Sequence, residues 1–208
     1  MTKVIYVFAI LLTACGGHNI PEGIKYDIIK EVPHEVLGKD NIDVRLNTKV
    51  SQADLKEIAL ALREDRKQYE KLWICYYLPG MKVGSGAWAI THFTPELEVK
   101  IFGSTLAEDR ETASTVNIDG DIVGKWRSET SLSGAALIVY SNSNGKLMLK
   151  TTFKDGSSRT EEVRESKEGS RIRYDDGNLN GEYFVVENNG NLGIYGDNGK
   201  FEEAVIIP

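Results

Sequence analysis

The stretch Glu182-Tyr-Phe-Val-Val-Glu187-Asn-Asn189-Gly190-Asn191-Leu-Gly-Ile-Tyr195-Gly-Asp-Asn198-Gly199 decides the fold of the C-terminal half. Two short runs with β-branched and aromatic residues are each followed by Asn-Gly. That dipeptide suits the positive φ angles of a tight hairpin turn. The same punctuation recurs upstream at Asn144-Gly145, Asp155-Gly156 and Asp176-Gly177. The strand candidates are Ile122–Ser128, Ala135–Tyr140, Lys146–Phe153, Ser158–Arg164, Arg171–Tyr174, Glu182–Glu187, Asn191–Tyr195 and Phe201–Ile207. A recurrence of about ten residues with such turns predicts an all-β antiparallel meander or small barrel over 120–208.

The N-terminal half has a different rhythm. Ile24–Val32 alternates in part and Ile42–Leu46 alternates cleanly, so both are expected as strands. Ser51 is a natural N-cap, with Asp54 three residues on as a weaker capping box. Leu55, Ile58, Ala59 and Leu62 fall at helical spacing, predicting a helix from about Gln52 to Tyr69 with one apolar stripe. Lys71–Leu78 is apolar on both faces, as a central strand would be. Ala87–Phe93 and Leu97–Phe102 complete the set. Strands in runs around a single helix predict an α+β domain over 24–103, one helix on a small, mostly antiparallel sheet. Residues 104–119 are small and polar without periodicity and are expected to form a linker.

Composition narrows the possibilities. The chain has 208 residues, 27% charged and 41% hydrophobic, an ordinary globular mixture. Its net charge is −6, and no basic cluster stands out, which argues against nucleic acid as a partner. Of two cysteines, Cys15 and Cys75, the second lies in an apolar run.

The first residues, MTKVIYVFAILLTACGG, place Lys3 before an apolar run that ends in Leu12-Thr13-Ala14-Cys15. A charged start, an apolar core and small residues at the end describe a secretory signal peptide over 1–14. The apolar run is too short for the roughly 20 residues of a membrane-spanning helix. Leu-Thr-Ala-Cys resembles the lipobox of bacterial lipoproteins. That resemblance implies cleavage before Cys15, diacylglycerol on its thiol and often a third acyl chain, such as palmitate, on its amine. It also implies a place in the cell envelope. In a Gram-negative host, Gly16 in place of a retaining aspartate implies the outer membrane, facing the periplasm. Residues 15–23 would be a short lipidated tether, and loss of Lys3 takes the net charge to −7.

Gly124-Lys-Trp126 opens the β-domain and resembles the first-strand motif of lipocalins and lipocalin-like domains. The resemblance implies an eight-stranded barrel closed at one end by the tryptophan, and a carrier of a small apolar ligand as one function. The short strands, some charged on both faces, point instead to a filled barrel. No His-Glu-x-x-His, cysteine pair or EF-hand-like loop is present, so neither metal nor cofactor is expected. Gly80-Met-Lys-Val-Gly-Ser-Gly86 lacks phosphate-loop spacing and is followed by a strand. It reads as an open loop, and Met81, Lys82, Gly84, Gly86 and Trp88 are the candidate binding residues, with packing in the core the alternative for Trp88. A hydrolase built on Cys75 or His92 is the third class. The expectation that best fits the whole is a non-enzymatic, membrane-anchored envelope module for a protein or glycan partner.

Overall fold

The computed structural model describes residues 18–115 and 117–207. Cys15 and the expected signal peptide lie outside the described residues. The chain divides into two compact units. One holds the residues up to Pro79 together with Ile90–Lys100, and the other holds Gly80–Ala89 and everything from Ile101 on.

The first unit is one helix on a mixed sheet. Its strands are β1 (Tyr26–His34), β2 (Lys39–Leu46), β3 (Lys71–Tyr77), β4 (Ala89–Phe93) and β5 (Leu97–Ile101), lying side by side in that order. β1 and β2 are antiparallel, whereas β2 and β3 run parallel. A parallel pair needs a crossover, and α1 (Gln52–Glu64) supplies it. Ser51 caps α1 through a reciprocal box with Asp54. Alternate residues of β2 (Ile42, Val44 and Leu46) and β3 (Leu72, Ile74 and Tyr76) are buried, as is the stripe Leu55, Ile58, Ala59 and Leu62. The run 71–78 is the central strand that its double-faced apolarity predicts.

α1 stops five residues before the expected Tyr69. Asp65 is its C-cap, and the chain then turns, with Tyr69 N–H bonded to the Arg66 carbonyl. Arg66 folds back: its Nη1 donates to the Leu62 carbonyl, and Nε and Nη2 each donate to Glu31 at 3.0 Å. Nε also stands 3.5 Å from the carboxylate of Asp40, which is fully buried. Burial first, and the Glu31 carboxylate second, push the Asp40 carboxyl up to about 6.

The second unit is a nearly closed antiparallel barrel. Its strands are β6 (Gly120–Ser128), β7 (Ala135–Asn142), β8 (Leu147–Thr152), β9 (Ser158–Glu162), β10 (Arg164–Glu168), β11 (Arg171–Asp175), β12 (Tyr183–Val186), β13 (Leu192–Gly196) and β14 (Gly199–Ile206). The sheet runs from β10 through β14 to β6 and on to β9. Its two edges, β9 and β10, are separated in the chain only by Val163. They are therefore two halves of one stretch, the first paired to β8 and the second to β11. The strand over 164–168 has no apolar pattern, and no sequence signal announced it. The glycines of all five Asn-Gly and Asp-Gly turns do take positive φ.

Side chains from around the barrel fill its interior. Trp126, Leu137, Val139, Leu149, Val163, Tyr174, Phe184, Leu192, Ile194 and Ala204 form one buried cluster. The Gly124-x-Trp126 spacing has a steric cause. A Cβ on Gly124 would lie 2.2 Å from the indole, so only glycine lets the ring fold back over its own strand. The indole N–H then reaches the Gly190 carbonyl at 2.8 Å, tying β6 to the β12–β13 turn.

The segment 104–119, expected as a linker, is instead part of the second unit's framework. It carries α2 (Leu106–Thr115). Thr105 and Glu108 form a reciprocal capping box at its start, each bonded to the other's backbone N–H. That Thr-x-x-Glu signature is in the sequence, but without an apolar stripe behind it the segment reads as polar coil.

Candidate binding loop and its buried anchor

The loop Gly80–Ala87 combines an open tip with a fixed end, both within the second unit. Lys82, Gly84, Ser85 and Gly86 are exposed, and Met81 and Val83 are half-buried. Gly80, Gly84 and Gly86 all have positive φ. A Cβ at Gly84 would meet nothing within 4 Å, so that glycine serves the turn and not a close contact. Ser85 donates from its hydroxyl to the Lys82 carbonyl at 2.9 Å and closes the tip on itself.

Trp88 corrects one sequence expectation. Assigned to the binding surface, it is fully buried and belongs to the core. Its indole N–H donates to the Ser104 carbonyl at 3.0 Å, and its own carbonyl accepts from Phe102 and Gly103. A Cβ on Gly103 would stand 2.4 Å from the indole and 2.5 Å from the Glu129 carboxylate. The tryptophan is thus wedged against backbone that tolerates no side chain. Met81, Lys82, Gly84 and Gly86 remain as the accessible set.

A polar knot backs the wedge. Ser104 is fully buried; its N–H donates to Glu129 Oε2 at 2.9 Å, and its hydroxyl donates to Asp109 at 2.6 Å. Arg127 lies 3.1 Å from Asp109 and donates to the Gly134 carbonyl at 2.8 Å. Glu202 fixes the β6–β7 loop by accepting from the Ser128 hydroxyl, the Thr130 N–H, and the N–H and hydroxyl of Ser131. Ser104 and Asp109 are five residues apart, but Glu129 and Glu202 come from distant parts of the chain, and none carries a motif. The spatial cluster has no signal in the sequence.

A second surface that the sequence did not single out covers the outside of the barrel. Tyr195 and Tyr183 stack at 5.2 Å, with the Arg173 guanidinium 3.6 Å from the Tyr183 ring centre. Beside them, Glu187 accepts from Arg171 (2.8 Å), the Tyr195 hydroxyl (2.7 Å) and Lys200 (3.2 Å). Burial alone would raise the Glu187 carboxyl, but these donors hold it below the usual carboxylate range. Tyr195 and Glu187 crowd the space above Gly193. This is a braced outer face, with its charges matched internally.

Cys75 and His92, the candidates for a hydrolase, each have other neighbours. Burial, with Asp43 next, pushes the Cys75 thiol up, away from the thiolate that nucleophilic attack needs. His92 lies flat on Trp73 at 4.7 Å. Its Nδ1 faces the Thr94 hydroxyl at 3.2 Å and its Nε2 faces Glu98 at 3.4 Å. Among the described residues no group of three or more His, Cys, Asp or Glu is placed to hold a metal ion. Among them, too, no helix is long and apolar enough to cross a membrane. No family model, curated protein or solved structure matches the chain.

Proposed function

We propose that this chain is a lipid-anchored protein of the bacterial cell envelope, held through Cys15, that acts as a non-enzymatic binding module. The loop Met81–Gly86 is its contact surface. The observation that carries the binding role is the contrast within that loop: an exposed tip on a stem locked by the buried Trp88. Recognition commonly sits on loops held by a rigid scaffold. Met81 offers an adaptable apolar contact beside the charge of Lys82, which suits a protein partner better than a glycan. A carrier role would need interior volume, and ten packed side chains occupy the barrel. Anchoring rests on Leu12-Thr13-Ala14-Cys15. Two or more acyl chains make such an anchor stable, where one is marginal. In a Gram-negative host the outer membrane, facing the periplasm, is its place.

Crosslinking in native membranes, followed by mass spectrometry, tests both parts. The wild-type chain is expected in the membrane fraction with a protein partner attached near residues 81–86. Cys15→Ser is expected as a soluble or uncleaved species. Normal membrane fractionation of Cys15→Ser at unchanged size would overturn the anchor. Crosslinks to glycan alone would transfer the loop to that class of partner.

A further inference from the structure

The described part of the expected tether, from His18 on, is held against the fold. His18 packs against the outer face of α1, with Nε2 3.1 Å from Glu64 and Nδ1 3.8 Å from Glu57. The Asn19 N–H donates to the same Glu57 carboxylate at 3.0 Å. Further on, Asn47 clasps the chain, accepting from Lys25 N–H and donating to the Gly23 carbonyl. Only three residue steps separate Cys15 from His18, at most about 11 Å of extended chain. An acyl group on Cys15 therefore brings the last turns of α1 to the membrane surface.

The same end of this unit carries a bare apolar tip. Between β1 and β2 a single turn of 3₁₀ helix, Glu35–Leu37, leaves Val36 100% and Leu37 67% exposed. Arg66, two residues past α1, grips Glu31 in the strand that leads into the tip and faces Asp40 in the strand that leaves it. Gly38 accepts from the Lys71 N–H and packs on Glu70. The tip and the end of α1 are thus one edge of the unit. Single exposed apolar residues are common. Two adjacent ones at a hairpin tip, beside an anchor point, are not explained by packing. Glu35 and Glu70 stand among the lysines Lys39 and Lys71 there, so the edge is not polybasic.

We propose that this edge rests on the bilayer that holds Cys15, with Val36 and Leu37 inserted among the lipids. The proposal builds on the anchored reading above and adds an orientation: the first unit lies against the membrane and does not swing on a leash. Because the edge carries both signs of charge, insertion is apolar and does not require anionic lipid.

The test uses the full-length acylated protein in phosphatidylcholine vesicles containing nitroxide-labelled lipid. In a Cys75→Ser background, Leu37→Cys and, separately, Thr48→Cys are labelled with bimane. Thr48 is an exposed residue of the same unit, just past the end of β2 away from the tip. Quenching at position 37 is expected to be several-fold stronger than at 48 and unchanged when anionic lipid is added. Adding Val36→Ser, or His18→Ala with Glu57→Ala, should reduce it. Equal quenching at the two positions, with the acyl mass confirmed on the Cys15 peptide, overturns the orientation alone. A Cys15 peptide without acyl mass overturns the anchor and the orientation together.

Discussion

Asp40 in the first unit and Glu129 in the second are both buried acids, yet their surroundings differ in kind. Glu129 accepts from a backbone N–H and lies against the Ser104 hydroxyl, while Arg127 serves the neighbouring Asp109. Asp40 instead faces a second carboxylate, Glu31, and the cation beside them gives two hydrogen bonds to Glu31 and one to the Leu62 carbonyl. The barrel has turned its buried polar groups into a scaffold that holds the loop stem. The open sheet has accepted an imperfect charge at the joint between α1 and its edge strand. A buried charge stabilises only where donors converge on it; otherwise it shifts its protonation.

The largest expected effect is on the barrel. Trp126 is buried in the barrel's core cluster and bonds to the β12–β13 turn, so Trp126→Ala should cost about 3–5 kcal/mol in urea unfolding. A loss under 1 kcal/mol would mean the interior is not the packed cluster described, and would reopen the carrier function.

Next is the pH dependence of the first unit. The Asp40 carboxyl sits at about 6, against an ordinary value of 3.8. The folded state therefore binds an extra proton between these limits. Stability is fully present below about pH 4 and falls as pH rises through 6. Glu31, Glu187 and Glu203 are shifted the other way, Glu203 to about 2, so their contributions are lost only as pH falls below the ordinary carboxylate range. Unfolding measured from pH 4.5 to 7.5 covers the range in which the Asp40–Glu31 pair changes protonation. Asp40→Asn should flatten the decline and be more stable than wild type at pH 7. A parallel decline in both proteins would remove Asp40 as its source.

How much of this the sequence disclosed depends on whether the cause was local. The Ser51–Asp54 box, the stripe from Leu55 to Leu62 and the Asn-Gly turns are local, and the elements they foretold are present. β10 was hidden because its residues, Arg164–Glu168, are all polar and mostly exposed, and it exists through pairing with β11. α2 had a local start signal at Thr105 and Glu108 but no apolar face to confirm it. Asp40 and Arg66 are 26 residues apart, and Ser104 and Glu129 are 25 apart, so neither cluster has a spacing to detect. The candidate loop was legible from its glycines. The role of Trp88 was not, because an aromatic beside a glycine-rich loop looks the same whether it is a contact or a wedge.

That ambiguity sets the last and smallest effect. Met81 and Lys82 lie at the loop tip, ahead of the Trp88 wedge, and Lys82 is exposed. Surface substitutions away from caps, cores and buried networks usually change stability by about 0.5 kcal/mol or less. Met81→Ala with Lys82→Ala should therefore leave the melting temperature within experimental error of wild type while abolishing partner capture in native membranes. Trp88→Ala is the internal contrast, since it empties a fully buried site and should lower stability and capture together. If the double variant melts lower and still captures the partner, the loop serves the fold alone. Recognition must then be sought elsewhere, first on the outer face around Tyr183 and Tyr195. If the double variant keeps both stability and capture, the loop is neither contact nor support, and the binding function assigned to it fails.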